Sequence, residues 1–235
     1  MDLSVVIPAY NEALRLGPTL RRVVEYLRAE GRPFEVLVVD DGSTDATAEV
    51  ARKYAAEGVR LLRQEMNRGK GAVVKVGVLA SRGREVLLLD ADLSTPIEEI
   101  EKLRPHLAEA PVVLGSRSVI GSDITEHQPF YREMMGRTFN LIIRILGVRG
   151  LRDTQCGFKL LAGDVARQLF GELQIERFAY DVELVWLARK HGYEVVEVGV
   201  RWADSSSSKV NPVSDSLRML WDVLAMRLRR RRGGS

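Results

Sequence analysis

The chain has 235 residues, of which 46% are hydrophobic and 29% charged, a composition typical of a soluble globular protein. Its single cysteine, Cys156, excludes an internal disulfide, and its three separated histidines exclude a zinc site of ordinary spacing. The net charge of +3 depends on five arginines at 227 and 229–232, so the chain lacks the broad basic face that binding to nucleic acid requires.

Short apolar runs alternate with segments of helical periodicity through the first half of the chain. Buried strands are predicted at residues 3–8, 35–39, 59–62 and 86–89. Helices are predicted between them, the second running to about Glu57 and the third beginning at 67–71. This order is typical of a parallel sheet with helices on both faces, so we predict a single α/β domain of mostly parallel strands.

Two predicted helices carry more detailed expectations. The third helix is expected to bury one apolar side, formed by Val73, Val74, Val76 and Leu79. The segment 95–98, Thr-Pro-Ile-Glu, matches a capping box with Pro96 at the first helical position.

The fourth predicted strand ends at two carboxylates, Asp90 and Asp92. An aspartate after a strand is also an ordinary turn residue, so the other strand ends must decide between a turn and a ligand site. Right-handed crossovers place Tyr10, Asp40 and Asp90 at one edge of the sheet, where ligands of α/β proteins bind. With Glu12, four acidic residues converge there, and paired carboxylates can hold a divalent cation that in turn binds a diphosphate.

Two common nucleotide-binding motifs are missing. Gly69 and Lys70 do not belong to a Walker A loop, because position 64 is Gln and Gly71 follows the lysine. No Gly-x-Gly-x-x-Gly pattern follows the first predicted strand. A nucleotide diphosphate is therefore expected to be held by carboxylates, a metal ion and a few basic residues.

The second half of the chain is less regular. We predict strands at 111–116 and 194–200, helices at 130–147, 179–191 and 212–232, and a loop leading into a strand at 153–159. The last helix has an apolar stripe followed by arginines, and the stripe is formed by Val213, Leu217, Leu220, Trp221, Leu224 and Leu228. Such a helix either lies in a membrane interface or packs on the core, and both readings stay open. We predict a catalytic domain at 1–211 and an amphipathic, basic helix and tail at 212–235.

Four motifs, at residues 5–12, 38–45, 67–71 and 90–92, resemble in their order and spacing the family 2 glycosyltransferases. Segments 115–117, 153–159, 181–184 and 208–209 resemble the polyprenyl-phosphate sugar synthases of that family, which include dolichyl-phosphate mannose synthases. The Asp-Thr-Gln-Cys-Gly-Phe-Lys segment at 153–159 is most similar to dolichyl-phosphate β-glucosyltransferases. The resemblance covers nearly the whole chain and implies the Rossmann-like GT-A fold.

The resemblance also implies a donor site. Its residues would be Pro8, Tyr10, Glu12, Asp40, Gly69, Lys70, Asp90, Ala91, Asp92 and Arg201. The first three would line the nucleoside pocket, and Asp40 would accept hydrogen bonds from the base or ribose. Asp90 and Asp92 would hold Mg²⁺ or Mn²⁺ on the sugar diphosphate, while Lys70 and Arg201 add positive charge. Ser94 stands where relatives place a glutamine as a further metal ligand.

The acceptor implied by the resemblance is a lipid monophosphate. Arg117 and Arg132 match residues that bind the acceptor phosphate, and Lys209 lies in a loop near it. A phosphate monoester has a second pKa of about 6, so the nucleophile is already ionised at neutral pH and needs no general base. Asp181 is then either a base or a positioning residue, and it completes the predicted catalytic set with Asp92 and the three cationic residues.

The sequence thus predicts a metal-dependent, inverting transfer of a hexose, glucose from UDP-glucose, to dolichyl or polyprenyl phosphate. Alternatives that remain open are a GDP-mannose donor, another UDP-sugar as donor, a hydroxyl acceptor, and a nucleotide-sugar binding module without turnover. No apolar run has the length of a membrane span and the amino terminus lacks a signal-peptide pattern, so the expected location is the cytoplasmic face of a membrane, at its periphery. The pattern specifies no oligomeric state.

Overall fold

The computed structural model describes residues 1–126, 150–203, 218–226 and 228. Its strands are β1 (Leu3–Ala9), β2 (Phe34–Asp40), β3 (Val59–Arg63), β4 (Glu85–Leu88), β5 (Val112–Ser116), β6 (Asp123–Glu126), β7 (Lys159–Ala162), β8 (Val195–Gly199) and β9 (Arg201–Ala203). Its helices are α1 (Ala13–Glu30), α2 (Thr47–Arg52), α3 (Lys70–Ala80), α4 (Ile100–Leu103), α5 (Gly163–Glu172), α6 (Tyr180–Lys190) and α7 (218–226).

The main sheet has seven strands in the order β3-β2-β1-β4-β7-β5-β8, and β6 pairs with β9 in a separate ribbon. All neighbours in the main sheet are parallel except β7, which is antiparallel to both β4 and β5. The prediction of a single, mostly parallel α/β domain is confirmed. The reversed direction of β7 was not predicted, and it decides how the second half of the chain reaches the site.

Helices cover both faces of the sheet, because successive strand residues point to opposite sides. On one face, Val5 and Val38 pack with the buried side of α1 and with Ile100 of α4. On the other face, Val6 and Val39 pack with residues of α3, α5, α6 and α7. The central strands are therefore buried on both faces, which explains why they appear in the sequence as continuous apolar runs.

The predicted apolar side of α3 is only half right. Val73 and Val74 are buried, but Val76 is 39% and Leu79 46% exposed. The face toward the sheet instead includes Gly77, where a Cβ would lie 2.4 Å from a methyl carbon of Val6. Close approach of helix and sheet requires a small residue there, so periodicity weighted by hydrophobicity misplaces the buried face.

The predicted capping box at 95–98 is wrong. Pro96 is the extended residue before the helical segment, and no side chain caps it. A 3-10 turn over Ile97–Glu99 comes first and leads into the short α4. Glu98 does not reach back to the backbone, because its carboxylate pairs with Arg22 of α1.

Other differences concern the ends and number of elements. The second helix ends at Arg52, and a separate 3-10 turn spans Ala55–Glu57. Helix α5 and strand β6 were not predicted, and the predicted strand at 194–200 ends at Gly199, before the separate short strand β9. The predicted helix at 130–147 and the domain boundary at 211 lie outside the described residues.

Helix α7 buries a different face from the predicted stripe. Met219, Val223 and Met226 pack into the core beside α6, whereas Trp221 is 69% exposed. Leu224 and Leu228, from the predicted stripe, are also exposed. The helix therefore has two apolar faces, of which one packs on the domain and the other faces outward.

Candidate active site

Three adjacent parallel strands deliver the predicted donor residues to one edge of the sheet. Tyr10 follows β1, Asp40 ends β2, and Asp90 follows β4, and β1 pairs with both of the other strands. The predicted convergence of these residues at the carboxyl edge is confirmed. Because β7 is antiparallel, its amino end lies at this same edge, so the preceding segment 153–158 also enters the site.

The loop that carries Asp90 and Asp92 is held from several sides. The hydroxyl of Thr19 donates to the carbonyl oxygen of Ala91 at 2.7 Å. The Oδ1 atom of Asp92 accepts a hydrogen bond from the Ser94 amide at 3.1 Å. Between them, Leu93 has a φ of 53°, which is unusual for a bulky residue and is found where surrounding structure imposes it. The loop thus presents the two carboxylates on a fixed backbone.

The backbone of Gly157 forms a wall against the Asp90 carboxylate. A Cβ at position 157 would lie 2.0 Å from Asp90 Oδ2, so no larger residue fits while this carboxylate keeps its place. A small pocket opens beside this contact. Its lining consists of Leu89, Asp90, Ser94, Thr95, Gly157, Phe158 and Trp202. The glycine in the 153–159 segment therefore has a steric role in the site.

Each of the two predicted metal carboxylates faces a cationic side chain. Lys70 Nζ lies 2.5 Å from Asp90 Oδ1, and Arg15 Nη1 lies 3.7 Å from Asp92 Oδ2. Burial raises the pKa of Asp90, but Lys70 outweighs this and holds that pKa below its usual value. Sequence reasoning predicted Lys70 but missed Arg15, whose only signal was its place one helical turn after Glu12.

Arg15 connects two of the predicted site residues. Its Nε and Nη2 atoms each donate to the carboxylate of Glu12 at 2.6 Å. The resulting fork holds the guanidinium between Glu12 and Asp92, and the pKa of Arg15 is raised chiefly by its bond to Glu12. Glu12 therefore reaches the donor site through an arginine.

The carboxylate pair fits a divalent cation that is shared with a ligand. Among the residues that the structure describes, no group of three or more His, Cys, Asp or Glu side chains could hold a metal ion. Mg²⁺ in nucleotide sites is commonly bound by one or two carboxylates, with phosphate and water oxygens completing its shell. Asp90 and Asp92 supply this partial set, and the Gly157 wall gives Asp90 a defined position.

Asp40 and Asp41, at the end of β2, have different partners. Asp40 is fully buried: its Oδ1 accepts from the Ser43 amide at 2.9 Å, and its Oδ2 lies 3.2 Å from Arg63 Nε without hydrogen-bond geometry. Asp41 accepts hydrogen bonds from the amides of Arg68 and Gly69 at 2.8 and 2.9 Å. Asp41, which sequence reasoning did not single out, thus fixes the turn that places Lys70 at the start of α3.

Arg117, the predicted acceptor residue after β5, is clamped by a buried carboxylate. Its Nε and Nη2 atoms donate to Asp153 at 2.7 and 2.9 Å, and its amide donates to the same side chain at 3.1 Å. The guanidinium also lies over the ring of Trp202, 5.3 Å from its centroid. Burial lowers the pKa of Arg117, but Asp153 raises it by more, so the net shift is upward. The residue is therefore a permanent cation.

Asp181 lies at the start of α6 in a buried ion pair. Its Oδ1 atom is 2.6 Å from Nζ of Lys159, a lysine with no exposed surface. Burial raises the pKa of Asp181, and Lys159 and Lys70 counteract that rise. Lys159 also lies 5.9 Å from the ring centroid of Tyr180 and donates to the Cys156 carbonyl. This pairing favours a positioning role for Asp181 over that of a base.

The remaining predicted residues are less central or lie outside the described ranges. Arg201 contacts Glu99, through its backbone amide at 3.1 Å and its guanidinium at 3.5 Å. Pro8 is partly buried in β1, and Tyr10 is 38% exposed at its end. Arg132 and Lys209 are not among the described residues.

Comparison with known proteins gives this arrangement a family. The model of the family described as "Glycosyl transferase family 2" matches residues 4–170. The chain is a family 2 glycosyltransferase. The match includes the donor-site motifs at the ends of β1, β2 and β4, so the resemblance seen in the sequence is confirmed.

Three curated relatives of this glycosyltransferase are named dolichyl-phosphate β-glucosyltransferase. The chain is 38% identical over 242 residues to the dolichyl-phosphate β-glucosyltransferase of Dictyostelium discoideum, covering 97% of this chain and 74% of that protein. It is 39% identical to the Drosophila melanogaster protein of the same name, at 97% and 75% coverage. The human one is 36% identical, also at 97% and 75% coverage.

Solved structures confirm the fold of the glycosyltransferase. Glucosyl-3-phosphoglycerate synthase from Mycobacterium tuberculosis in complex with UDP superposes with a TM-score of 0.68 at 20% identity, covering 97% of this chain and 79% of that one. Mannosyl-3-phosphoglycerate synthase from Rubrobacter xylanophilus gives 0.67 at 20% identity, with 98% and 75% coverage. The M. tuberculosis enzyme has also been crystallised with Mn²⁺ and UDP. At this identity the likeness establishes the fold alone.

Proposed function

We propose that this glycosyltransferase moves glucose from UDP-glucose to dolichyl or polyprenyl phosphate, with inversion at the anomeric carbon and with Mg²⁺ or Mn²⁺. The names of the curated relatives support the glucosyl group and the lipid phosphate. The observation that carries the proposal is the clamped guanidinium of Arg117, because its partner Trp202 lines the same pocket as Asp90. A fixed cation therefore stands next to the carboxylates that would hold the donor.

The donor side follows from the residues at the ends of β1, β2 and β4. Asp40 would accept a hydrogen bond from the nucleoside at Oδ2, which is buried 3.2 Å from Arg63 Nε and has no hydrogen bond within the described part of the chain, so a small shift of this loop would have to open the atom to the ligand. Asp90 and Asp92 would hold the divalent cation, which when bound neutralises charge on the leaving diphosphate. Lys70, at the first residue of α3, adds an ammonium group and a helix amino terminus at that place.

The acceptor side needs positioning more than activation. At neutral pH a phosphate monoester is largely dianionic, so one of its oxygens attacks the anomeric carbon directly. A new carbon–oxygen bond forms on one face of the sugar while the bond to the diphosphate breaks on the other. Arg117 would hold the attacking phosphate through the guanidinium donors that do not engage Asp153. Arg132 and Lys209 remain proposed partners of the same phosphate.

Contact with a membrane is a further part of the proposal, since the acceptor is a lipid. No helix within the described ranges is long and apolar enough to cross a bilayer. The outward face of α7 exposes Trp221 and Leu224, and in the sequence arginines follow at 227 and 229–232. An apolar face with tryptophan next to a basic segment suits an anionic membrane surface. We place the enzyme at the cytoplasmic face of a membrane.

A donor and acceptor screen tests the proposal. UDP-glucose, GDP-mannose and UDP-N-acetylglucosamine are each incubated with the purified enzyme, Mn²⁺ and a polyprenyl phosphate, and the lipid product is identified by mass spectrometry. Glucosyl transfer from UDP-glucose, with no product when the free polyprenol replaces its phosphate, is the expected result. Transfer from GDP-mannose would instead identify a mannose synthase, and transfer to the free alcohol would overturn the phosphate acceptor. Donor binding without product in every combination would indicate a binding module.

A further inference from the structure

The two carboxylates that would hold the cation are each paired with a cationic side chain. Lys70 Nζ is 2.5 Å from Asp90, and Arg15 Nη1 is 3.7 Å from Asp92. Both cations belong to the first turns of helices, Lys70 in α3 and Arg15 in α1, and neither first turn contains an acidic residue. Positive side chains at helix amino termini are unfavourable unless anions lie nearby.

A divalent cation on Asp90 and Asp92 competes with these pairs. The Lys70 side chain is only 24% exposed, so it would be poorly solvated if it lost Asp90, whereas Arg15, at 23% exposed, would keep its pair with Glu12. A partly buried cation without an anionic partner is costly. The diphosphate of a sugar nucleotide would supply a new anionic partner for both side chains, and a divalent cation would balance its charge.

We propose that Arg15 is a donor-site residue and that, with Lys70, it acts as an exchangeable counter-ion. The two cations pair with Asp92 and Asp90, and they would move to the donor diphosphate if a divalent cation bound the carboxylates. This inference rests on the proposed function, because it requires that a sugar nucleotide and a divalent cation share the site. Its consequence is that the cation and the nucleotide each bind weakly alone and strongly together.

Glu12 orients Arg15 for the proposed exchange of Asp92 for a phosphate oxygen. Two hydrogen bonds of 2.6 Å fix the Arg15 guanidinium on Glu12, so Arg15 keeps one anionic partner throughout. Its Nη1 group, which faces Asp92 at 3.7 Å, lies beyond normal hydrogen-bond distance and forms the looser of its two contacts. Arg15 therefore exchanges Asp92 for a phosphate oxygen without leaving Glu12.

The test measures binding of Mn²⁺ alone, of UDP alone and of both together, with Mn²⁺ followed by electron paramagnetic resonance and UDP by calorimetry. In Arg15→Gln the affinity for Mn²⁺ alone should rise about three- to fivefold, the range expected for removing a partly exposed ion pair. The factor by which Mn²⁺ and UDP strengthen each other should fall by a similar amount, and it is the same whichever ligand is added first.

Three further variants make the result specific. Arg22→Gln, which removes an exposed arginine of α1 paired with Glu98, should leave both affinities unchanged. Glu12→Gln/Arg15→Gln should keep the gain in Mn²⁺ affinity, since that gain comes from removing the cation and not from releasing the Glu12 carboxylate. Arg15→Lys keeps the charge without the fork and should bind Mn²⁺ alone nearly as weakly as the unaltered enzyme.

Unchanged or weaker binding of Mn²⁺ alone in Arg15→Gln would overturn the inference, as would loss of the gain in the double variant. Either result leaves the proposed function intact, because the unaltered enzyme would still bind UDP with Mn²⁺. If the unaltered enzyme shows no Mn²⁺-dependent binding of UDP, the proposed function fails and the inference fails with it.

Discussion

Arg117 and Asp153, which are 36 residues apart in the sequence, form a side-on pair in which both carboxylate oxygens accept from one guanidinium, at 2.7 and 2.9 Å. The loop of Asp153 is itself fixed, because Glu197 accepts from the amides of Arg152 and Asp153 at 2.6 and 2.7 Å. Arg117 is therefore oriented by a buried carboxylate that a strand of the sheet holds in place. A guanidinium fixed in this way is suited to positioning a phosphate group.

Asp153→Asn should weaken acceptor binding specifically. An asparagine keeps the shape but removes one charge-assisted bond, so we expect the KM for the lipid phosphate to rise roughly tenfold while the KM for the donor stays the same. Steady-state kinetics with each substrate varied in turn measure both constants. Asp164→Asn, which alters an exposed carboxylate, is the control. An equal rise in both constants would show that Asp153 has only a general structural role.

Gly157→Ala should displace the carboxylate of Asp90, the proposed metal ligand that the glycine backbone contacts. The new methyl group would lie 2.0 Å from Asp90 Oδ2, so the carboxylate or the 153–159 segment must move. Overpacking of this kind costs about 1–3 kcal/mol, and we expect the affinity for Mn²⁺ in the presence of UDP to fall roughly tenfold. Gly171→Ala, in α5 with open space around the position, should have no such effect. Unaltered Mn²⁺ affinity in Gly157→Ala would contradict the role of the glycine wall.

Removing one partner of the buried Lys159–Asp181 pair should destabilise the protein more than replacing both partners with apolar residues. Lys159→Met leaves a buried carboxylate without its partner and should lower the free energy of unfolding by about 3–5 kcal/mol. Lys159→Met/Asp181→Leu should recover much of that loss, because no lone charge remains. Urea denaturation measures the three values, with the exposed lysine variant Lys190→Met as control. Additive losses in the double variant would show that the two side chains act independently.

The pH dependence of the KM for the lipid phosphate should come from ionisation of the acceptor and not from the carboxylates of the site. Asp90 and Asp153 have pKa values lowered by Lys70 and Arg117 against the opposing effect of burial, so both stay ionised as the pH falls from 8 to 5. The lipid phosphate takes up a proton at about pH 6, and its KM should rise below that pH. Asp181→Asn should keep this acidic limb. Its disappearance would mean that Asp181, whose pKa burial raises, serves as a base.

Attachment to membranes should depend on the outward face of α7. Trp221→Ser/Leu224→Ser removes apolar surface without touching Met219 or Val223, which pack into the core. Binding to vesicles that contain phosphatidylserine, measured by co-sedimentation, should fall at least tenfold, since burying a large apolar side chain is worth about 1.5–3 kcal/mol. Leu79→Ser, on the exposed side of α3, is the control. Equal binding by both variants would remove α7 from the interface.

Sequence reasoning recovered the donor half of the enzyme because that half is built from local signals. Apolar runs of strand length ending in acidic residues locate the carboxyl edge, and the parallel order follows from the intervening helices. Asp90 and Asp92 were predicted from this pattern and Lys70 from the family resemblance, and Lys70 contacts Asp90. The faces of α3 and α7 were misjudged, because burial there depends on what the helix meets in three dimensions, such as Val6 against Gly77.

The partners of the predicted residues could not be read from the sequence. Asp153 meets Arg117 and Lys159 meets Asp181 only because β7 enters the sheet in reverse between β4 and β5, and no local pattern announces that direction. Arg15 is one helical turn from Glu12, a spacing common on helix surfaces, so its approach to Asp92 required coordinates. Charge pairs formed across the fold are the part of the site that sequence patterns miss.

The position of β7 has a consequence for the order of folding. Strand β5 is joined to β4 in the main sheet only through β7, although β4 and β5 are completed well before residue 159 leaves the ribosome. The early chain can form β3-β2-β1-β4 with an open edge, but the gap beside β4 closes only with a contact of long sequence separation. Because Gly157 and Asp153 precede β7, Gly157 reaches the Asp90 carboxylate and Asp153 reaches Arg117 at that same late step. We therefore expect a nascent chain to assemble β1, β2 and β4 before it can place Gly157 beside Asp90 and Asp153 on Arg117.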